Sequence, residues 1–480
     1  MRSNFVNALQ TGDTFTTNGM VANSTTGSSV LDLFSQMGGL RKNSGSVVSL
    51  FENAIHEDAL LAVRAMYNCR DIRGGQGERD TFRFMLRYLC QNYPEIAANV
   101  INFAPFFGRW DDVLVALDTP VESVAVSMIS IALRENEDAL CAKWMPRESG
   151  ADVDTARKLA GLLRMSPRTY RVICSRLSNT VEQKMCANEW EEIDFNHVPS
   201  LAMHKLMKAF WKHQPERYGE WVEGLTKVNP DTGKTFSKVN AGAIFPHDII
   251  SEYLHSRYGT SVNKVIEAQW IAQPNFIEDG ISFLPLIDVS GSMEGMPMDV
   301  AVSLGIYLSE RNKSVFKDAF ITFSARPRLE YLTKKTVAKK ILELHSKGSD
   351  WSQNTDLEAA YRLILDKAVA AHLPQEDMPS VLIIISDLQF DRCIKNNSDS
   401  ALNMIKRMYA ESGYAFPALI FWNVDSHSNT PAKFDDKGVA LVSGFSPSVM
   451  KSLFKKIEIK TPYESMLDVL NSERYSQIKI

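Results

Sequence analysis

From residue 281 onward one pattern recurs: a short apolar run rich in Ile, Leu and Val, then a polar break, then an amphipathic helical stretch. The runs are "ISFLPLID", "DAFITFS", "SVLIIISD", "AFPALIFWN" and "VALVSG", and stretches such as "NTDLEAAYRLILDKAVAA" separate most of them. A strand that is apolar at nearly every position has no face left for water, so it must be covered on both sides. Alternation with helices supplies that cover. Residues 279–480 are therefore expected to form an α/β unit, a doubly wound parallel sheet with helices on both faces.

The preceding residues read differently. In "SSVLDLFSQMGGLR" the apolar Val30, Leu33, Phe34 and Met37 fall at i, i+3, i+4 and i+7, and Gly38-Gly39 supplies a stop. Further amphipathic stretches follow in "HEDALLAVRAMYNCR", "ERDTFRFMLRYLCQNY", "VESVAVSMISIALRENE", "DVDTARKLAGLLRM" and "SPRTYRVICSRL". Many helices joined by short turns imply an all-α array over residues 30–278, stacked as a solenoid or ring of helical repeats. Residues 1–29, rich in Ser, Thr, Asn and Gly, read as an extended arm, and 226–245 as a loop turning at Asn229-Pro230-Asp231. A chain of 480 residues exceeds one compact core, in keeping with a multidomain protein.

Composition narrows the partner class little. A net charge of −4 gives no global attraction to nucleic acid, though a basic face can hide inside a neutral total. Cys69, Cys90, Cys141, Cys174, Cys186 and Cys393 are scattered, with no CxxC pair and no zinc spacing, which suits reduced thiols. The polar N-terminus and the lack of a bilayer-length apolar run point to a cytoplasmic protein, in a host's cytoplasm if the gene is viral, and a monomer is the expectation.

Chemistry gathers at the predicted strand ends. In "LPLIDVSGSMEGMPMDVAVSLG" Asp288 closes an apolar run and is followed at alternate positions by Ser290 and Ser292. Asp387 closes "SVLIIISD", and Thr355 stands just before or at the start of the earlier helical stretch "NTDLEAAYRLILDKAVAA". In a doubly wound sheet these positions share one edge, where ligands collect. Two carboxylates and three hydroxyls make an all-oxygen donor set suited to Mg²⁺, or to Mn²⁺ or Ca²⁺, rather than zinc. Gly291 lets the backbone curl closely, and Pro297 fits the first turn of the following helix. A serine-hydrolase elbow would need Gly-x-Ser-x-Gly, and an aspartyl phosphotransferase would need an acid where Ser290 stands. Neither enzyme pattern is complete, and no other catalytic constellation is evident.

Taken together, Asp288-x-Ser290-x-Ser292, Thr355 and Asp387 resemble the metal-ion-dependent adhesion site, or MIDAS, of a von Willebrand factor A domain. That resemblance implies that these five residues ligate a divalent cation which accepts an acidic group from a protein partner. The neighbours "WSQNTD" and "DLQFD" depart from the common A-domain pattern, and the second introduces Asp391 as an outer-shell acid. The helical half, through "NGMVANSTTGSSVLDLF", "NCRDIRGGQGERDTFRF", "FGRWDDVL", "AKWMPRE" and "AGAIFPHDII", resembles a largely uncharacterised family related to Ro-type ribonucleoproteins. In those proteins a TROVE module of HEAT-like helical repeats closes into a ring beside an A domain. The resemblance implies a non-enzymatic ribonucleoprotein that binds RNA by single-stranded ends or small structured portions.

The residues that would contact RNA are basic side chains beside aromatics, which can neutralise phosphates and stack bases. Arg70 and Arg73 lie in "RDIRGGQGERDTFRFMLR", and Lys205, Lys208 and Lys212 interleave with Phe210, Trp211 and Tyr218. Asp71, Glu78 and Asp80 lie close to the arginines, so part of that charge is expected to be neutralised within the fold. "GGQG" at 74–77 lacks the Lys-Ser/Thr ending of a P-loop and reads as a turn between helices. Two other functions fit the same residues: a metal-dependent protein-interaction scaffold without RNA, and a metal-assisted nuclease.

Overall fold

The computed structural model describes residues 14–41, 43–148, 152–255, 261–277, 279–323, 326–347, 355–392, 399–427, 429–452 and 460–480. Residues 1–13 of the arm, position 278, the Trp351–Asn354 part of "WSQNTD", and Cys393 lie outside that set.

The described part of the arm is a hairpin, β1 (Thr14–Phe15) paired antiparallel with β2 (Val21–Ala22). Helices then follow one another from Ser29–Gln36 to Lys264–Ile271, as the periodicity predicts. Their ends carry the expected chemistry: Ser28, Asn43, Asp58, Asp138, Ser166 and Thr180 accept backbone N–H groups that the first turn would leave unpaired. "GGQG" is a turn between helices Ala59–Arg70 and Asp80–Asn92.

Beyond residue 282 six strands form one sheet. These are β3 (Phe283–Asp288), β4 (Ala319–Phe323), β5 (Arg328–Tyr331), β6 (Val381–Ser386), β7 (Ala418–Asn423) and β8 (Val439–Ser443), in the order β5-β4-β3-β6-β7-β8. Every residue of β3, β6, β7 and β8 is buried, as runs without a polar face require. The sheet is not wholly parallel, which corrects the expectation: β5 runs antiparallel to β4. Its sequence, "RLEY", sits at the edge with Leu329 and Tyr331 exposed and Glu330 buried, so no apolar run announces it.

The helical half and the sheet share one connected core of buried apolar side chains. Helix Ser29–Gln36 packs on β8, and helices Pro246–Leu254 and Lys264–Ile271 pack on Met296–Arg311 and Val337–Lys347, respectively among others. At the other end of the chain, Pro462–Leu470 returns to pack on Ala59–Arg70. The seam is also polar: Ser443 Oγ donates to Phe34 O (3.1 Å), Ser426 Oγ to Gln36 O (2.6 Å) and Ser448 Oγ to Gly75 O (2.7 Å). Asp71, buried, accepts from Arg474 Nη2 (2.7 Å) and the Tyr475 hydroxyl (3.0 Å).

Gly38 lets the two backbones meet. A Cβ there would lie 2.5 Å from the Gly444 nitrogen and 2.7 Å from the Ser443 carbonyl carbon. Gly38→Ala is therefore expected to destabilise the protein by about 1–3 kcal/mol, the usual range for overpacking. Gly161→Ala, on an exposed helical face with nothing within 4 Å, should instead gain about 0.5–1 kcal/mol. Urea melts of the two variants against the parent check both signs.

Candidate functional site

Strand order decides where the site lies. It reverses between β3 and β6, whose successors depart to opposite sides, and such a switch point leaves a crevice at the carboxyl ends of the strands. β3 and β6 pair in parallel, with Ile287 opposite Ile385, so Asp288 ends one strand beside Ser386 and Asp387 at the end of the other. Parallel register therefore brings together carboxylates 99 positions apart.

Both acids are buried, Asp288 fully. Asp288 Oδ1 accepts the Ser290 N–H (2.9 Å), which curls the loop back on the strand end, and Oδ2 accepts the Ser386 hydroxyl. Ser290 Oγ lies 3.1 Å from Ser292 Oγ. Ser290 is buried and Ser292 is exposed, so the site opens to solvent along the Gly291-Ser292 turn. Thr355, also buried, comes directly before Asp356, the N-cap of helix Leu357–Ala370. Its carbonyl accepts from Asp391 N (3.0 Å), which ties it to the loop following β6. Met296–Arg311 begins with Pro297 in its first turn and buries Val300, Leu304, Tyr307 and Leu308, as the sequence predicts.

The electrostatics are those of an anionic concentration. Burial, then the charge of Asp387, pushes the Asp288 carboxyl up to about 7. Asp391 is also raised, by burial and then by Asp356. His427 Nε2 stands 3.9 Å from Asp387 Oδ2. Among the described residues no three His, Cys, Asp or Glu side chains gather as a metal cluster. The donor set of Asp288, Asp387 and three hydroxyls is a different one, hard oxygen throughout, and suits a small divalent cation.

Sequence reading overlooked Ser386 and His427. Ser386 is hidden because it reads as the last residue of an apolar strand; its hydroxyl also accepts from Leu388 N (2.9 Å). Leu388 itself has φ 61°, an uncommon conformation for a leucine, in the turn that carries Asp387.

The predicted RNA contacts separate into two groups. Lys205, Lys208 and Lys212 are exposed on one face of helix Ser200–His213, opposite buried Met203, Met207 and Phe210. Trp211 lies beside them, 47% exposed, its ring edge-on to Tyr218 at 5.2 Å. Arg73 is exposed. Arg70 is a correction: it is 6% exposed and its Nε donates to buried Asp112 Oδ2 at 2.8 Å. A guanidinium buried in that pair is not presented to a phosphate. Arg83 likewise pairs with Asp111 and Asp112, and Arg87 donates to the carbonyls of Val115 and Leu117.

The chain matches the family model described as domain of unknown function DUF2828 over residues 16–117 and 135–275. It matches domain of unknown function DUF7788 over 282–479. It is similar to "Uncharacterized protein L728" of Acanthamoeba polyphaga mimivirus, 28% identical over 506 residues that span 95% of this chain and 87% of that protein. Among solved structures it is similar to the Deinococcus radiodurans RO (RSR) protein, at 14% identity and a TM-score of 0.48, covering 91% of this chain and 100% of that one.

A carboxyl whose pKa rises on folding takes up protons in the folded state, so folding loses stability as pH climbs from the unfolded value, near 4, through about 7. In chelator, the parent is expected to melt at progressively lower temperature between pH 5 and pH 8. Asp288→Asn should flatten that slope and recover on the order of 2–4 kcal/mol at pH 8. Parallel slopes for the two proteins would show that Asp288 bears no such strain.

Proposed function

The chain belongs to the family described as domain of unknown function DUF2828, and on that premise and the geometry above we propose that it is a non-enzymatic, cytoplasmic RNA-binding protein with a divalent-cation adhesion site. In this reading its architecture is Ro-type: a TROVE-like helical array beside a von Willebrand factor A-like sheet. The observation that supports the cation reading is the pair of buried carboxylates, Asp288 and Asp387, beside Ser290 and Ser386 at the β3/β6 switch point. Asp288, Ser290, Ser292, Thr355 and Asp387 would hold Mg²⁺, with Mn²⁺ or Ca²⁺ as substitutes. The bound ion supplies an electrophilic position for an oxygen ligand. Open access at Ser292 favours a ligand arriving from outside, such as a partner's carboxylate.

RNA binding is supported by the row of Lys205, Lys208 and Lys212 with exposed Trp211 alongside. Three ammonium groups on one helical face can track a phosphate backbone, and an indole with an open surface can stack a base. Arg73 adds a further exposed charge elsewhere. A scaffold that grips only protein is the second reading, favoured by the same opening at Ser292. A metal-assisted nuclease is the third reading; His427, 3.9 Å from Asp387, stands beside the acids, but among the described residues no other base is positioned for water.

Two outcomes are expected. Millimolar Mg²⁺ should raise the melting temperature, more at pH 8 than at pH 6 because protons compete at Asp288, and Asp387→Ala should abolish the rise; no Mg²⁺ effect at either pH would refute the cation site. Single-stranded RNA should bind with a steep salt dependence. Replacing Lys205, Lys208 and Lys212 together by Ala should lower the slope of log K against log salt by about 2. An unchanged slope would remove this helix from the RNA surface, and absence of any RNA binding would leave the scaffold reading.

A further inference from the structure

The cation site has a neighbour from the opposite end of the chain. Residues 16–19, "TTNG", form the tip of the β1–β2 hairpin. Gly19 N donates to Thr16 O (3.0 Å), Thr16 N to Met20 O (2.8 Å), and Gly19 takes the φ of 88° that such a turn requires. The tip is fastened to the loop that follows Asp387. Thr16 Oγ1 donates to Phe390 O (2.7 Å), while Thr17 N and Oγ1 donate to Gln389 Oε1 (2.7 and 2.9 Å). Gly19 forms a β-bridge with Asp391.

Asn18, at the apex, makes the contact that matters. Its Nδ2 donates to Gln389 O at 2.7 Å and to Thr355 Oγ1 at 3.4 Å. A backbone carbonyl can only accept, so the first bond establishes which amide atom is the nitrogen. The same nitrogen then reaches the side chain of Thr355. One amide thus bridges the two segments that carry Thr355 and Asp387.

A threonine hydroxyl is a neutral donor atom that rotates freely unless something holds it. It has two lone pairs and one proton. With one lone pair engaged by Asn18, the direction of the other is constrained before any cation arrives. Reducing that rotational freedom in advance lowers the cost of ligation, as partners of metal ligands generally do.

We propose that Asn18 is a positioning residue of the cation site, linking Thr355 to Gln389 so that the N-terminal hairpin completes a site whose ligands all lie beyond residue 287. This proposal rests on the cation reading above. It makes the site a joint product of both ends of the chain.

Mn²⁺ binding to the full-length protein tests it, followed by calorimetry and by the electron paramagnetic resonance signal of free Mn²⁺. Asn18→Ala is expected to raise the Mn²⁺ Kd about tenfold, the low end for losing an outer-shell hydrogen bond, with the melting temperature in chelator unchanged. Phe15→Ala, on the same hairpin but 65% exposed, should leave the Kd as it is. Equal affinity in Asn18→Ala and the parent would overturn the proposal while leaving the site intact. Tighter binding would overturn it too, by showing that the hairpin tip obstructs the site. If the parent binds Mn²⁺ no better than Asp387→Ala, the cation reading itself falls and takes this proposal with it.

Discussion

The burial of Asp288 beside Asp387, where the parallel strands β3 and β6 end, is the constraint on which the candidate site depends. Neither acid can move away, because each terminates a fully buried strand and the strands are paired side by side. Two negative charges in a low-dielectric crevice cost stability unless something neutralises them. The surrounding groups respond to that cost: Ser386 and the Ser290 N–H donate to Asp288, and Gln389 N donates to Asp387. Hydrogen bonds spread the charge without removing it, which leaves the raised Asp288 carboxyl as the residue of an unfinished neutralisation.

The helical half is bound to this sheet by features that neither half contains alone. Helix Ser29–Gln36 lies on β8, its Phe34 carbonyl accepting from Ser443 and its Gln36 carbonyl from Ser426 in the segment after β7, and Gly38 brings the chain against Gly444. From the other direction Arg474 and Tyr475 reach back to Asp71, the first residue after helix Ala59–Arg70. The chain therefore crosses the seam near both ends, and the buried apolar side chains on either side form one core. The turn at 74–77 touches this seam through Gly74, against Arg474, and through the Gly75 carbonyl, while a Cβ on Gly75 or Gly77 would meet Asn68 or Phe245 within the helical half.

Much of this architecture was legible before any coordinates. Strands such as "SVLIIISD" are apolar throughout and end in a charge, so both the strand and the place where it stops can be read directly. Helix Met296–Arg311 was legible from Pro297 and the spacing of Val300, Leu304, Tyr307 and Leu308. What could not be read depends on partners distant in sequence. Arg70 resembles any surface arginine until Asp112, 42 positions away, is found beside it. Asp71 and Glu78 lie near several arginines in sequence, yet they pair with Arg474 and Arg41. β5 escaped because an edge strand needs no apolar run. Asn18 escaped because its contact with Thr355 spans 337 positions and its own surroundings are an unremarkable polar turn.

That last contact changes how the cation site and the helical array relate. Between residues 14 and 38 the chain passes from the rim of the site, at Asn18, across Thr430 at Asn23, and along β8 into the first helix. Each step is held by bonds to the sheet half: Asn23 N donates to Thr430 O at 3.0 Å and Thr430 N to Asn23 O at 2.8 Å. A ligand that displaced the 387–391 loop would have to break or carry with it the bonds from Thr16, Thr17 and Asn18. The site is thus mechanically continuous with the segment that docks the helical half, because the same short stretch of chain serves as cover for one and anchor for the other.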